Sequence, residues 1–134
     1  MSIIGRLLSI ATFIGIAALP GLTAAQDEAL PKVVIETSVG SFEVELYPDR
    51  APASVANFLS LVDDGFYDGL IFHRVIANFV VQTGGYDADM GYREPPRTVV
   101  NESANGLKNR RGYLAMARLS DPDSADAQFY VNVR

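Results

Sequence analysis

The sequence contains no cysteine and a single histidine, His73. The first absence excludes a thiol nucleophile, a Cys-ligated metal centre and any disulfide framework. The second leaves His73 without the companions that a zinc site of the usual multi-His kind requires. Cations are also scarce: 11 Lys and Arg stand against 16 Asp and Glu, for a net charge of −5. Nucleic acid and anionic membranes both select for clustered Lys and Arg, so neither is an expected partner. No stretch is low in complexity, and none repeats at a fixed period. Gly84-Gly85 is followed by neither a Lys-Ser/Thr pair nor a helical pattern, which excludes a phosphate loop. A lone histidine with no nucleophile elbow supports no Ser–His–Asp set. Hydrolytic and metal-dependent chemistry both lack the residues they need, and no cofactor is expected.

What is present is enough for one globular domain of 134 residues, 49% hydrophobic and 20% charged. The first 25 residues differ in kind. Arg6 is their one charged side chain, the run from Leu7 to Leu19 is almost wholly apolar, and Pro20-Gly21 breaks any helix. Thr23 and Ala25 then place small residues at the −3 and −1 positions of a cleavage site. This order is that of a secretory signal peptide, and its apolar core is too short to span a bilayer comfortably. Cleavage after Ala25 would leave residues 26–134 as the working domain, with a net charge of −6, in the periplasm or outside the cell. No stable membrane insertion is expected once the segment is removed.

The working domain reads as mainly β. Residues 32–38 and 41–46 form a predicted hairpin through Val39-Gly40, with Phe42, Val44 and Leu46 alternating onto one face. Pro52 opens a helix in the first-turn position that tolerates its missing N–H. Val55, Phe58, Leu59 and Val62 give that helix one apolar stripe, and Gly65 is its expected C-terminal stop. Strand patterns return at 70–76 and 79–83 around an Ala77-Asn78 turn, weakly at 97–100, and again at 113–117 and 128–133. Residues 84–96 are expected to be a surface loop. Many strands, one helix and no βαβ alternation predict a closed antiparallel β-barrel capped by the helix.

Three spaced segments carry chemistry together that none carries alone. Residues 72–85 (FHRVIANFVVQTGG), 112–118 (GYLAMAR) and 124–132 (SADAQFYVN) appear in that order, behind the hairpin, the Pro-led helix and Gly65-Phe66-Tyr67. This arrangement resembles the cyclophilin-type peptidyl-prolyl cis-trans isomerases, and the resemblance covers residues 32–134. The leader segment points to the exported bacterial branch. The resemblance implies that Arg74 is the catalytic guanidinium. It implies that Phe72, Phe79, Val80, Met116 and Tyr130 line a proline pocket, with His73, Gln82, Ala117 and Gln128 around the bound peptide. Where the family more often has Met and Phe, this chain has Val80 and Tyr130, swaps that keep an apolar wall. The expected partners are proline-containing polypeptides, met by a monomer. The family's barrel has eight strands, and the sequence supplies six of them, so the fold is expected to be incomplete at its C-terminal side.

The implied reaction suits these residue types. Twisting an X-Pro bond faces a barrier of about 18–20 kcal/mol set by amide resonance. No bond is made and no proton need leave, so neither nucleophile nor base is required. The twisted amide is less polar than the planar one, and its nitrogen regains a lone pair that an arginine can address. Two other readings follow from the same residues: a proline-peptide binding module with incidental turnover, or an inactive fragment of a cyclophilin. Arg74 separates the first of these from an enzyme, because a pure binder has no use for a donor aimed at the prolyl nitrogen.

Overall fold

The computed structural model describes residues 29–134. The leader segment, residues 1–25, lies outside the described residues. Strands β1 (Lys32–Thr37) and β2 (Gly40–Glu45) form a two-stranded antiparallel hairpin, in register from Lys32 opposite Glu45 to Thr37 opposite Gly40. Gly40 takes a φ of 137°, a conformation open to glycine at little cost. Val44 and Leu46 turn inward and are buried, as their alternation requires.

Helix α1 (Pro52–Asp63) follows, with Pro52 in its first turn. Its N-cap position is Ala51, which has no side chain to satisfy the free N–H groups there. The carboxylate of Glu102 does so from 48 and 49 residues away, accepting from the N–H groups of Ala53 (3.0 Å) and Ser54 (2.8 Å) and from the Ser54 hydroxyl (2.7 Å). At the other end Gly65 has φ 65° and donates to Val62, while Phe66 donates to Leu61. This paired pattern closes the helix at the predicted glycine. Val55, Phe58 and Leu61 are its buried apolar residues, and Leu59 and Val62 are partly buried against the same core.

The remaining strands form a four-stranded antiparallel sheet in the order β3 (Arg74–Ile76), β4 (Val80–Thr83), β6 (Phe129–Asn132) and β5 (Leu114–Met116). The core lies between this sheet, α1 and the hairpin, and contains Val44, Leu46, Val55, Phe58 and Phe129. Phe58, Tyr67 and Phe129 meet in tilted and edge-on pairs with ring centroids 5.4–5.7 Å apart, a geometry that suits the aromatic quadrupoles.

Several expectations need correction. The barrel is not closed: among the described residues the hairpin pairs with no strand of the four-stranded sheet. An open cleft of about 940 Å³ lies between them, with Phe42, Val44, Phe58, Leu114 and Phe129 in its walls. Strand β3 begins at Arg74 rather than Leu70, because Ile71 is drawn to the neighbouring loop instead. Its N–H donates to Tyr86 and its carbonyl accepts from the Thr83 hydroxyl. Residues 97–100 form no strand; Val99 makes one bridge, to Ala125. The segment 84–96 is also less loose than its composition implies. It folds back on itself through a Tyr86–Tyr92 bridge, and Gly84 and Gly85 are buried.

Candidate active site

The sheet brings Arg74, Gln82, Tyr130 and Ala115 into one row, each directly opposite the next across β3, β4, β6 and β5. Directly opposed residues of antiparallel strands share a face, so this row defines one surface of the sheet. Gln82 sits at its centre. Its Oε1 accepts from Arg74 Nη1 at 3.0 Å, and its Nε2 donates to Gln128 Oε1 at 3.1 Å. The glutamine amide thus fixes the guanidinium on one side and Gln128 on the other. Arg74 lies 5.9 Å from the Phe79 ring centroid, a cation–π distance. Phe79 is 53% exposed, whereas Val80 is only 2% exposed.

The approach of Gln128 depends on the two glycines. A Cβ on Gly84, whose φ is 91°, would stand 2.5 Å from the Ala127 carbonyl oxygen. A Cβ on Gly85 would stand 2.8 Å from Gln128 Cδ. Segment 126–128 is held in turn by one buried and one half-buried side chain. Asn57 donates to the Asp126 carbonyl at 2.6 Å, and Tyr67 donates to the Ala127 carbonyl at 3.0 Å. Burial pushes the Tyr67 phenol well above its ordinary pKa, so it remains a donor at any physiological pH. Ala117 joins the same frame, its N–H donating to the Gln128 carbonyl at 2.8 Å.

Two of the expected site residues are placed elsewhere. Met116 is opposite Phe129 and packs against the core, on the face of the sheet away from Gln82 and Tyr130. Its neighbour Ala115 holds the place in the row, because adjacent strand residues face opposite ways. The His73 ring packs on Tyr86, with centroids 4.7 Å apart, and its Nδ1 is buried without a hydrogen-bond partner among the described residues. Partial burial, reinforced by the Arg74 charge and opposed by the Ile71 backbone, lowers the His73 pKa. Phe72 is half-buried beside it.

One contact was not legible in the sequence. Asn109 Nδ2 donates to the Tyr130 hydroxyl at 3.1 Å. No periodic pattern marks Asn109, which reaches the site from a loop. The hydroxyl it meets exists because residue 130 is Tyr.

The site as assembled offers no nucleophile paired with a base. It offers one guanidinium, a framing pair of amides and flanking apolar side chains. Comparison with known proteins agrees with that chemistry. The profile of the family described as cyclophilin type peptidyl-prolyl cis-trans isomerase/CLD matches residues 32–134. A peptidyl-prolyl cis-trans isomerase of Acinetobacter baylyi is 48% identical over 112 residues, which cover 84% of this chain and 60% of that protein. Peptidyl-prolyl cis-trans isomerase B of Escherichia coli is 46% identical over 101 residues, covering 75% and 62%. The chain therefore spans about three fifths of the length of these relatives. A cyclophilin type isomerase of Cryptosporidium parvum, crystallised in the presence of the dipeptide Ala-Pro, superposes with a TM-score of 0.65. It is 31% identical, and the match covers 77% of this chain and 68% of that one. Motif order, sheet register and these matches agree, and the chain belongs to the cyclophilin-type peptidyl-prolyl cis-trans isomerase family.

Proposed function

We propose that this chain accelerates the cis–trans isomerisation of X-Pro bonds in exported polypeptides. The observation that carries the reading is the Arg74 guanidinium, held by Gln82 Oε1 at 3.0 Å beside the Phe79 ring. Held in this way, it pays little ordering entropy when a substrate arrives, and N–H donors other than the one spent on Gln82 remain for the peptide. Phe72, Phe79, Val80 and Tyr130 supply the apolar surroundings of the proline ring. Gln82, Gln128 and Ala117 frame the peptide on either side. The twisted amide is favoured over the planar one in such surroundings, and Arg74 donates to the prolyl nitrogen as its lone pair localises.

A hydrogen bond to a charged group is worth roughly 1.5–3 kcal/mol, and each 1.36 kcal/mol is about tenfold in rate. Arg74 therefore accounts for roughly ten- to a hundredfold of any acceleration. The remainder falls to the apolar pocket and to the grip on the flanking peptide. The Ala-Pro dipeptide in the Cryptosporidium parvum crystals supports a ligand of this chemical class. The deciding experiment measures exchange between the isomers of a short Pro peptide by NMR. Arg74→Lys should remove most of kcat/KM, because an ammonium on a flexible stem does not reproduce the guanidinium fork. Full activity in Arg74→Lys or Arg74→Ala would end this assignment.

The leader segment supports placing the substrates beyond the inner membrane. The apolar run from Leu7 to Leu19 and the small residues at Thr23 and Ala25 call for a mature N-terminus at Gln26. N-terminal sequencing of exported protein that finds Met1 intact would overturn that placement.

A further inference from the structure

The loop from Leu107 to Gly112 carries Lys108, Arg110 and Arg111, three cations within four residues of a chain whose net charge is −5. Hydrogen bonds build this loop into the rim of the Arg74 row. Asn109 donates to the Tyr130 hydroxyl at 3.1 Å. The Arg111 guanidinium donates to the Val133 carbonyl, and the Val133 N–H donates to the Phe79 carbonyl at 2.9 Å. Gly112 closes the loop onto the Asn132 carbonyl at 2.8 Å. The loop is thereby tied to both the tyrosine and the phenylalanine of the site. All three cations are exposed, and among the described residues the one ion pair is Lys32–Glu43, on the hairpin. Lys108, Arg110, Arg111 and Arg74 therefore face solvent without a paired carboxylate.

Loop 107–112 is bonded at the C-terminal end of β6, and the N-terminal end of β6 has the opposite sign. Gln128 lies over Gly85, where the loop 84–96 begins, and that loop carries Asp87, Asp89 and Glu94. Its one cation, Arg93, is turned away to the carbonyls of Phe66 (2.7 Å) and Asp68 (2.9 Å). The same surface is cationic beyond Tyr130 and anionic beyond Gln128.

We infer that the groove is electrically polarised along its length. It selects proline-containing segments that carry an acidic residue on the flank over loop 107–112 and a basic residue on the flank over loop 84–96. This rests on, and deepens, the isomerase reading above. Charges at a rim set register and encounter rate more than affinity, and they are screened by salt.

The test uses two peptides of identical composition and reversed charge order, Ac-Glu-Ala-Ala-Pro-Ala-Lys-NH2 and Ac-Lys-Ala-Ala-Pro-Ala-Glu-NH2, with a Gln/Gln peptide as neutral reference. NMR line shapes report both binding and isomer exchange. At about 10 mM salt, one order should bind roughly fivefold or more tightly than its reverse, and the ratio should approach unity near 500 mM, where the Debye length is only a few ångströms. The double substitution Lys108→Glu, Arg110→Glu should abolish or invert the ratio. Because the ratio is taken within one sample, any loss of folded fraction cancels. Equal binding of the two orders at low salt, or a ratio that survives the charge reversal, overturns the inference. A ratio that persists while exchange of the neutral peptide is not accelerated sinks the isomerase reading and leaves the polarity standing. Failure of all three peptides to bind overturns both.

Discussion

At the scale of the residue, His73 shows how far sequence proximity and chemical role can diverge. It precedes Arg74 and is the one imidazole in the chain, yet its ring packs on Tyr86 and its Nδ1 has no partner among the described residues. Partial burial and the Arg74 charge lower its pKa, so the folded protein holds it neutral to lower pH than the unfolded chain does. Protons therefore bind the unfolded state first as pH falls through about 6.5. Stability from this group is present above that value and declines as pH drops toward the lowered folded-state pKa. Turnover per folded molecule should nevertheless stay flat from pH about 5.5 to 8. His73→Gln should keep substantial activity and lose the pH slope in urea midpoint. A bell-shaped rate profile, or an inactive His73→Gln protein beside an active Arg74→Lys protein, would require acid–base chemistry at this site. Tyr130 makes a complementary case. Tyr130→Phe loses the 3.1 Å bond from Asn109 but keeps the apolar wall. A cost of about 0.5–1.5 kcal/mol in stability is expected, with kcat/KM on a neutral peptide changed less than about threefold. A larger loss in kcat/KM would mean that the hydroxyl itself meets the substrate.

At the scale of the element, the parts that were legible are those whose cause is local. Phe42, Val44 and Leu46 alternate, and the hairpin follows; Pro52 and Gly65 bracket the helix. What sequence pattern does not reveal is closure over distance. Nothing near α1 announces that Glu102 supplies the cap that Ala51 lacks. Nothing in LIFHRVI, residues 70–76, shows that Ile71 leaves the strand for Tyr86 and Thr83. Family resemblance makes Met116 a pocket residue, but the register that sets it opposite Phe129 is tertiary. Glu102 gives this a measurable form. Partial burial acts to raise its pKa, but the Ala53 and Ser54 backbone donors and the Ser54 hydroxyl outweigh it and lower the pKa. The stabilisation is present above the unfolded value of about 4.3 and is lost as pH falls through the lowered folded-state value. Glu102→Ala should cost about 1 kcal/mol at pH 7, the usual worth of a cap. The difference from the parent protein should shrink as Glu102 becomes protonated in acid. A pH-independent difference would show that the carboxylate charge is not what caps the helix. The glycines give a second test. Gly85→Ala displaces a flexible side chain, Gln128, and should cut activity while leaving a folded protein. Gly84→Ala drives a Cβ into backbone oxygen at positive φ and should prevent folding. Equal effects from the two would show that Gln128 is not positioned by Gly85.

At the scale of the whole molecule, the open architecture matters more than any single contact. Size is no obstacle to folding, because domains of about 60 residues can fold alone. The obstacle lies in the unpaired edges. Among the described residues, β1 and β2 pair only with each other, and β3 and β5 end the second sheet. Val34 is 57% exposed and Val75 is 65% exposed, both on strands with a free edge. In the cleft of about 940 Å³ between the hairpin and the sheet, Val44, Phe58 and Phe129 are buried but Phe42 is exposed. Free apolar edges are templates for pairing with other chains, and exposed apolar side chains beside them add to that hazard. Residues 26–134 studied alone should therefore bind a hydrophobic dye and associate as concentration rises. Val75 is opposite Val81, on the face away from Arg74, so a charge there blocks edge pairing without entering the Arg74 row. Val75→Lys should shift light-scattering mass toward the monomer and leave the circular dichroism spectrum unchanged. A constant monomer mass from low to high micromolar concentration, with no dye binding, in the unsubstituted protein would show that six strands suffice without a partner. Isomerase activity in that same monomer, lost in Arg74→Ala, would show that the catalytic row needs only β3, β4, β5 and β6.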